Sequence, residues 1–383
     1  MKHKKISLLL TSGALLLSAP LIAASCNQND DSNKKTVLKF AVNAPWFGNN
    51  NHNFFKEIIK EFEKQTERKT ESEVKYISEN NDLVSLIKKG TSNIAVLTTP
   101  LFVLQSKNIK NNNMVPIIQT MTRAFKFEKN YDDKYSDGSE NDKLRKIAKN
   151  LQDLFDAKPY AEWTNEEYQW DGNIYKYFYG AEDELVEHYR GLVMIQGTKE
   201  EREAIKNAWN SKDWNAFRNF GIITGKQTSG SKYILQEALF KKHFNLEGNK
   251  FISFAEDKLH NSDKYTEDKA KNIAKGALKK YHIVFDELAS FAYTNNKKGA
   301  YYTPEDANVK IEFLTATDPL KYNVIVVDKN AFSRIEINTL KNIIINIWRD
   351  RKDDYGPTVG FNGYKIIEDP EAEVISPYNS IFN

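Results

Sequence analysis

Between residues 37 and 98 two kinds of apolar run alternate, and this alternation constrains the fold more than any other feature of the chain. VLKFAV (37–42), SEVKYI (72–77) and NIAVLT (93–98) are short, β-branched runs that read as strands. Between the first two, NFFKEIIKEFEKQ (53–65) repeats Phe54, Phe55, Ile58, Ile59 and Phe62 on one helical face. DLVSLIKK (82–89) reads as a short helix opened by Asp82 and stopped by Gly90. Such a β-α-β-α-β order predicts parallel strands joined by right-handed crossovers. Ligands of sheets like this sit beyond the carboxyl ends of the strands. That rule singles out two loops, Asn43-Ala44-Pro45-Trp46 and Thr98-Thr99-Pro100.

The rest of the chain repeats the theme. MVPIIQTMTR (114–123) is extended and leads into a long, polar, aromatic-rich region. Strands are predicted over 191–196, 219–224, 281–285, 309–315 and 322–327. Helices are predicted over 199–217, from about 232 to 244, and over 339–350, where Leu340, Ile343, Ile344, Ile347 and Trp348 share a face. The economical layout is two α/β lobes. Residues 37–120 with 317–383 make the first lobe and 121–316 the second, and two strand-like crossovers form a hinge.

The first 25 residues have the pattern of a secretory signal. Lys2, Lys4 and Lys5 precede a charge-free run from Ile6 to Ala24, and Ala23-Ala24-Ser25-Cys26 follows. Small residues before a cysteine mark the cleavage and acylation site of a lipoprotein, although Ala23 stands where such signals usually have Leu. Cys26 is the expected lipid attachment point (a palmitate-type acyl chain), with residues 26–36 as a flexible tether. It is the chain's one cysteine, so the mature chain has neither an internal disulfide nor a cysteine metal site. The expected location is the extracellular face of the cell membrane. The signal holds three of the 55 basic residues and none of the 52 acidic ones. A mature chain of balanced charge argues against nucleic acid as a partner.

Gly225-Lys226-Gln227-Thr228-Ser229-Gly230-Ser231-Lys232 lies between a strand and a helix. Amides at a helix start favour an anion, and glycine admits a phosphate closely. Ser229 and Ser231 add hydroxyls and Lys232 adds charge. The plain alternative is an N-cap. The spacing is not that of a Walker loop. Most of the 6 Trp, 19 Tyr and 22 Phe belong to the core. Trp46, beside Pro45 in a strand-end loop, is the ring placed to stack on a ligand. Tyr293 and Tyr322 are further candidates, and Glu287 is a carboxylate that could face a cationic group. The six histidines have no metal-ligand spacing, and no GxSxG elbow occurs. The chain therefore reads as a binding protein without catalytic, metal or cofactor residues. Two rival readings are a surface adhesin for host macromolecules and a secreted hydrolase.

Several stretches resemble the mycoplasma high-affinity transport system lipoproteins, also described as extracytoplasmic thiamine-binding lipoproteins. They include YAEWT (160–164), WDGNIY (170–175), Tyr189-Arg190-Gly191 and KNAWNSKDWNAFRNFGI (206–222). Ser229-Gly230-Ser231-Lys232, SFAYTN (290–295) and DYGPTVGFNGY (354–364) complete the set. The resemblance implies a two-lobed, type II periplasmic-binding-protein fold with a two-strand hinge and a central cleft. It also implies an ABC permease and its ATPase as partners, and thiamine or thiamine diphosphate as ligand. Another phosphorylated or phosphonate solute is the neighbouring possibility. In this frame Ser229, Ser231 and Lys232 hold a diphosphate, and Trp46 or Tyr293 stacks on a ring. Glu287 balances the thiazolium, while Thr99 and Tyr322 remain candidates from the residues alone. Gly230 stands where the family carries a bulky residue, and the Thr98-Thr99-Pro100 loop departs from its pattern.

Overall fold

The computed structural model of the chain describes residues 35–46, 48–107, 113–163, 177–246, 248, 251–292 and 300–382. The expected signal, the lipid attachment at Cys26, most of the tether and Tyr293 lie outside the described residues.

The first lobe begins with β1 (Thr36–Asn43), α1 (Asn53–Thr66), β2 (Thr70–Ile77), α2 (Asn80–Lys88), β3 (Ile94–Leu97), α3 (Thr99–Lys107) and β4 (Met114–Arg123). β1 pairs in parallel with β2 and β3, as the alternation predicts. α3 has no counterpart in the sequence reading. Its polar and apolar residues follow no helical stripe, and Pro100 near its start reads equally well as a turn.

The second lobe opens with α4 (Lys143–Asp156); the chain then comes back to the first sheet at β5 (Leu185–Val186), passes through β6 (His188–Tyr189) and enters the second sheet at β7 (Gly191–Gly197), followed by α5 (Lys199–Asn210), α6 (Trp214–Asn219) and β8 (Ile222–Thr224). It continues with α7 (Leu235–Phe244), α8 (Phe254–His260), β9 (Tyr265–Glu267), β10 (Ile283–Glu287) and β11 (Lys310–Ala316). The helix expected over 199–217 is two helices. Lys212 takes a left-handed φ of 55°, and the Asp213 side chain caps the amide of Ala216 to start the second one. The chain then returns through β12 (Leu320–Lys321) to β13 (Val324–Asp328), α9 (Arg334–Arg349), β14 (Gly363–Ile366) and α10 (Ser376–Ser380). α9 starts five residues before its expected position, because Ser333 and Glu336 form a reciprocal capping box at its N-terminus.

Two sheets result. The first runs β14-β4-β13-β3-β1-β2, with β5 attached to the end of β4; the second runs β11-β7-β10-β8-β9. Each is covered on both faces. α1 and α9 pack their buried Phe54, Phe62, Leu340 and Ile344 on one side of the first sheet, and Leu83, Phe102 and Tyr378 close the other. α4 supplies Leu144, Ile147 and Leu151 to one side of the second sheet, opposite Trp209, Phe217 and Phe240. β6 and β12 pair with each other outside both sheets, Leu320 opposite Tyr189 and Lys321 opposite His188. This antiparallel ribbon is the two-strand hinge. Two further passages join the lobes, residues 124–133 after β4 and residues 177–184 before β5.

Candidate functional site

The two sheets present their strand ends to one cleft of about 540 Å³, inside the range of small-molecule sites. From the first lobe come Asn43 to Trp46 after β1, Ser78 after β2, Thr98 after β3 and Arg123 at the end of β4. The second lobe supplies Thr228 to Ser231 after β8 and Glu287 at the end of β10. The hinge supplies His188, Tyr189, Tyr322 and Asn323. The strand-end rule thus brings Trp46 and the Ser-Gly-Ser loop, far apart in sequence, onto facing walls.

Trp46 is 59% exposed. Its amide donates to the carbonyl of Thr358 at 2.9 Å, and its ring lies over Gly360. A Cβ at position 360 would stand 2.9 Å from the indole, and φ there is +83°. The turn therefore needs glycine both for its backbone angle and for the ring. DYGPTVGFNGY supplies this platform, and Val359, Gly360 and Phe361 line the cleft beside the indole.

On the opposite wall, Ser229 accepts the amide of Lys232 at 3.2 Å and starts a wide π turn, Gly230–Ile234, that runs into α7. The plain capping role is thus present. Ser231 is buried and donates its hydroxyl to Glu287 Oε2 at 3.1 Å. A Cβ on Gly230 would meet the Tyr189 hydroxyl at 2.1 Å. The phenol of Tyr189 fills the space that a side chain at 230 would need, which explains the small residue here. Tyr189 also packs on Tyr322, with ring centres 5.0 Å apart. Burial and the nearby Glu287 carboxylate hold the Tyr189 phenol well above its ordinary range.

Two of the expected residues stand off the cleft wall. Lys232 points to Asp286, with Nζ 3.1 Å from Oδ1. Asp286 is wholly buried and also accepts the Tyr302 hydroxyl at 2.8 Å and the Ser290 hydroxyl. This carboxylate raises the Lys232 ammonium above the ordinary lysine range, against the opposing effect of burial. Thr99 is buried at the start of α3, and its hydroxyl donates to the carbonyl of Tyr322. Its neighbour Thr98 lines the cleft instead. Trp46, Ser229, Gly230, Ser231, Glu287 and Tyr322 do line it.

Arg123 and the group His188, Glu128 and Arg190 also line the cleft, without being among the candidates that the sequence offers. Arg123 donates from Nε and Nη2 to the carbonyl of Gly180 at 2.8 and 2.6 Å. Glu128 Oε1 lies 3.0 Å from both His188 Nε2 and Arg190 Nε. Burial pushes the Glu128 carboxyl up, but the His188 hydrogen bond and the Arg190 guanidinium outweigh it and leave the group below its usual range. Position at a strand end was the available signal for Arg123. The Tyr-Arg-Gly word was the signal for Arg190. Among the described residues no cluster of His, Cys, Asp and Glu could hold a metal ion.

Residues 47–382 match the family described as extracytoplasmic thiamine-binding lipoprotein. The chain is 40% identical over 274 residues to the high affinity transport system protein p37 of Mesomycoplasma hyorhinis. That match covers 70% of this chain and 66% of the relative, just under two thirds of its length. It is 34% identical over 302 residues to the protein of the same description from Mycoplasma pneumoniae, covering 74% of this chain and 76% of that one. The solved structure of the Mycoplasma hyorhinis protein Mh-p37, whose suggested role is that of a thiamine pyrophosphate transporter, superposes with a TM-score of 0.82 at 32% identity. It covers 91% of this chain and 99% of that one.

Proposed function

The chain belongs to the family of extracytoplasmic thiamine-binding lipoproteins, and from that membership we propose that it captures thiamine or thiamine diphosphate in the interlobe cleft and delivers it to an ABC importer. The observation that carries the reading is the pairing of walls. An exposed indole, Trp46, stands on one lobe, and the Glu287 carboxylate, held by Ser231, stands on the other. A cationic aromatic ring is complementary to both, since an indole face attracts a cation and a carboxylate neutralises it.

In this reading Glu287 faces the thiazolium and Trp46 stacks on a ring. Tyr293 is a second stacking candidate. The Ser229–Ser231 turn receives the phosphates through its amides, with the hydroxyls fixing its shape. Lys232 acts at one remove, by neutralising Asp286 behind that turn. Thr99 steadies Tyr322 from behind. No bond is made or broken, and closing of the lobes around the ligand produces the form that docks on the permease.

The N-terminal lipid belongs to the same reading. Acylation of Cys26 after removal of residues 1–25 holds the carrier at the extracellular face of the membrane, close to its importer. Among the described residues no helix is long and apolar enough to cross a membrane. Radiolabelled palmitate incorporated by the natural protein and not by Cys26→Ser is the expected result.

Titration calorimetry of residues 27–383 with thiamine, thiamine phosphate and thiamine diphosphate tests the ligand. Heat and thermal stabilisation with at least one of them is expected, and neither with any would sink the reading. Mass spectrometry of copurified ligand gives a second test. Replacing both Ser229 and Ser231 by Ala should weaken diphosphate binding more than thiamine binding, and equal losses would remove the phosphate assignment.

A further inference from the structure

Four stretches of described chain pass between the lobes; one, residues 177–184, brings the chain back to β5 on the first sheet, and the other three meet at the hinge. Residues 124–133 follow β4, residues 187–190 contain β6, and residues 317–323 contain β12. Backbone hydrogen bonds zip the second and third together. Beyond the β6–β12 pairs, Tyr322 N donates to Glu187 O at 2.9 Å and Thr317 N donates to Gly191 O at 3.1 Å. The first crossing has no place in that ribbon. Its backbone pairs instead with residues 178–184, Lys126 N donating to Phe178 O at 2.9 Å and Ala124 N to Glu184 O at 2.7 Å, and Arg190 ties it to the ribbon.

Arg190 is wholly buried. Its Nε donates to Glu128 Oε1 at 3.0 Å, Nη2 to Asn130 O at 2.8 Å and Nη1 to Asp133 O at 2.7 Å, all on the first crossing. Nη1 also donates to Thr317 O at 3.0 Å on the third. The residue itself stands on the second. One guanidinium therefore joins all three. Its planar fork of five donors can serve several acceptors at fixed angles, which a lysine ammonium cannot do. His188, two residues earlier on the same crossing, lies on the same Glu128 oxygen at 3.0 Å. Lys321 of the third crossing sits over the Tyr131 ring of the first, 5.1 Å from its centre.

We propose that Arg190, acting with Glu128, is the positioning residue that makes the three crossings one joint and so sets the relative placement of the two cleft walls. The inference goes beyond the capture of thiamine and depends on it only for the ligand arm of the test. Trp46 and Glu287 stand on different lobes, so their spacing follows the relative placement of the lobes, to which the joint contributes beside the apolar cluster that Leu235 and Ala238 of α7 share with Phe102 and Tyr378. A looser joint spreads the lobes over more arrangements, and affinity falls with the fraction that is competent to bind.

The test measures the distance between spin labels at Lys64→Cys on α1 and Glu203→Cys on α5, both exposed, in a Cys26→Ser background. Without ligand, the parent protein should give one narrow distribution. Arg190→Lys, which keeps the charge and loses the fork, should broaden it. The affinity for thiamine diphosphate should fall about tenfold if the competent fraction falls to a tenth. Glu128→Gln removes the charge at nearly constant shape and should broaden the distribution likewise, which keeps the test decisive if Arg190→Lys fails to fold. A folded variant with a lower melting temperature but unchanged width and affinity would overturn the proposal. Failure of the parent to bind thiamine diphosphate would remove the ligand reading and leave the ligand-free widths to decide on the joint.

Discussion

Residues that look alike in the sequence do different work around the Ser-Gly-Ser turn. Lys232 neutralises the buried Asp286, so Lys232→Met should be a stability variant. Stranding a buried carboxylate costs roughly 3 kcal/mol, readable in urea unfolding, with a smaller effect on ligand affinity. Glu287 faces the cleft, and the reverse split is expected for it. Glu287→Gln should leave the unfolding midpoint nearly in place and weaken thiamine binding in calorimetry. Gly230 is bound by shape. Gly230→Ala drives a methyl group onto the Tyr189 hydroxyl, and overpacking of this kind costs about 1–3 kcal/mol. A folded Gly230→Ala with parental stability would show that Tyr189 gives way. The motif was legible in the sequence as a helix-start loop. The division of labour within it was not, because Asp286 and Tyr189 reach it from other strands.

At the scale of elements, α7 carries a pH sensitivity distinct from the cleft. His243 is buried against Trp209, the rings stacked at 3.6 Å, with Nε2 2.8 Å from the Trp209 carbonyl and Nδ1 3.0 Å from the Tyr135 hydroxyl. Burial lowers its imidazole from 6.5 to about 4. The unfolded chain thus takes up a proton near the ordinary histidine value, while the folded one resists until about 4. Its contribution to stability is complete above the unfolded value and is lost as pH falls toward the folded one. Between pH 6.5 and pH 5 the loss should reach about 2 kcal/mol. Unfolding curves across this range should show that fall, and in His243→Gln the part due to this group should vanish. The sequence presented His243 only as a histidine without a metal partner. Its stacking depends on α5 and the 135–138 segment meeting α7, and no local period encodes that meeting. Element types were more legible than their ends. The 53–65 stripe became α1 almost unchanged, whereas α5 and α6 separated at a left-handed lysine that propensity does not foresee.

For the whole molecule, ligand binding and lobe placement are linked. A ligand that binds only the folded form at a hundred times its dissociation constant stabilises it by about 2.7 kcal/mol, so thiamine diphosphate at saturation should raise the melting temperature by several degrees in scanning calorimetry. The β-α-β-α-β order, the strand-end loops and the balanced charge were enough to determine two α/β lobes and the neighbourhood of the site, because hydrophobic period and turn residues act locally. The expected signal and Cys26 belong to the same local class of information. Which side chains face the cleft was decided by the tertiary structure alone. Thr98 reaches it where Thr99 does not, and Lys232 turns inward to a carboxylate 54 residues away in the chain. Three crossings meet on Arg190, a junction that no local pattern announces. Buried charge explains these outcomes: a carboxylate or guanidinium removed from water must find partners wherever the fold brings them, and those partners come from distant segments.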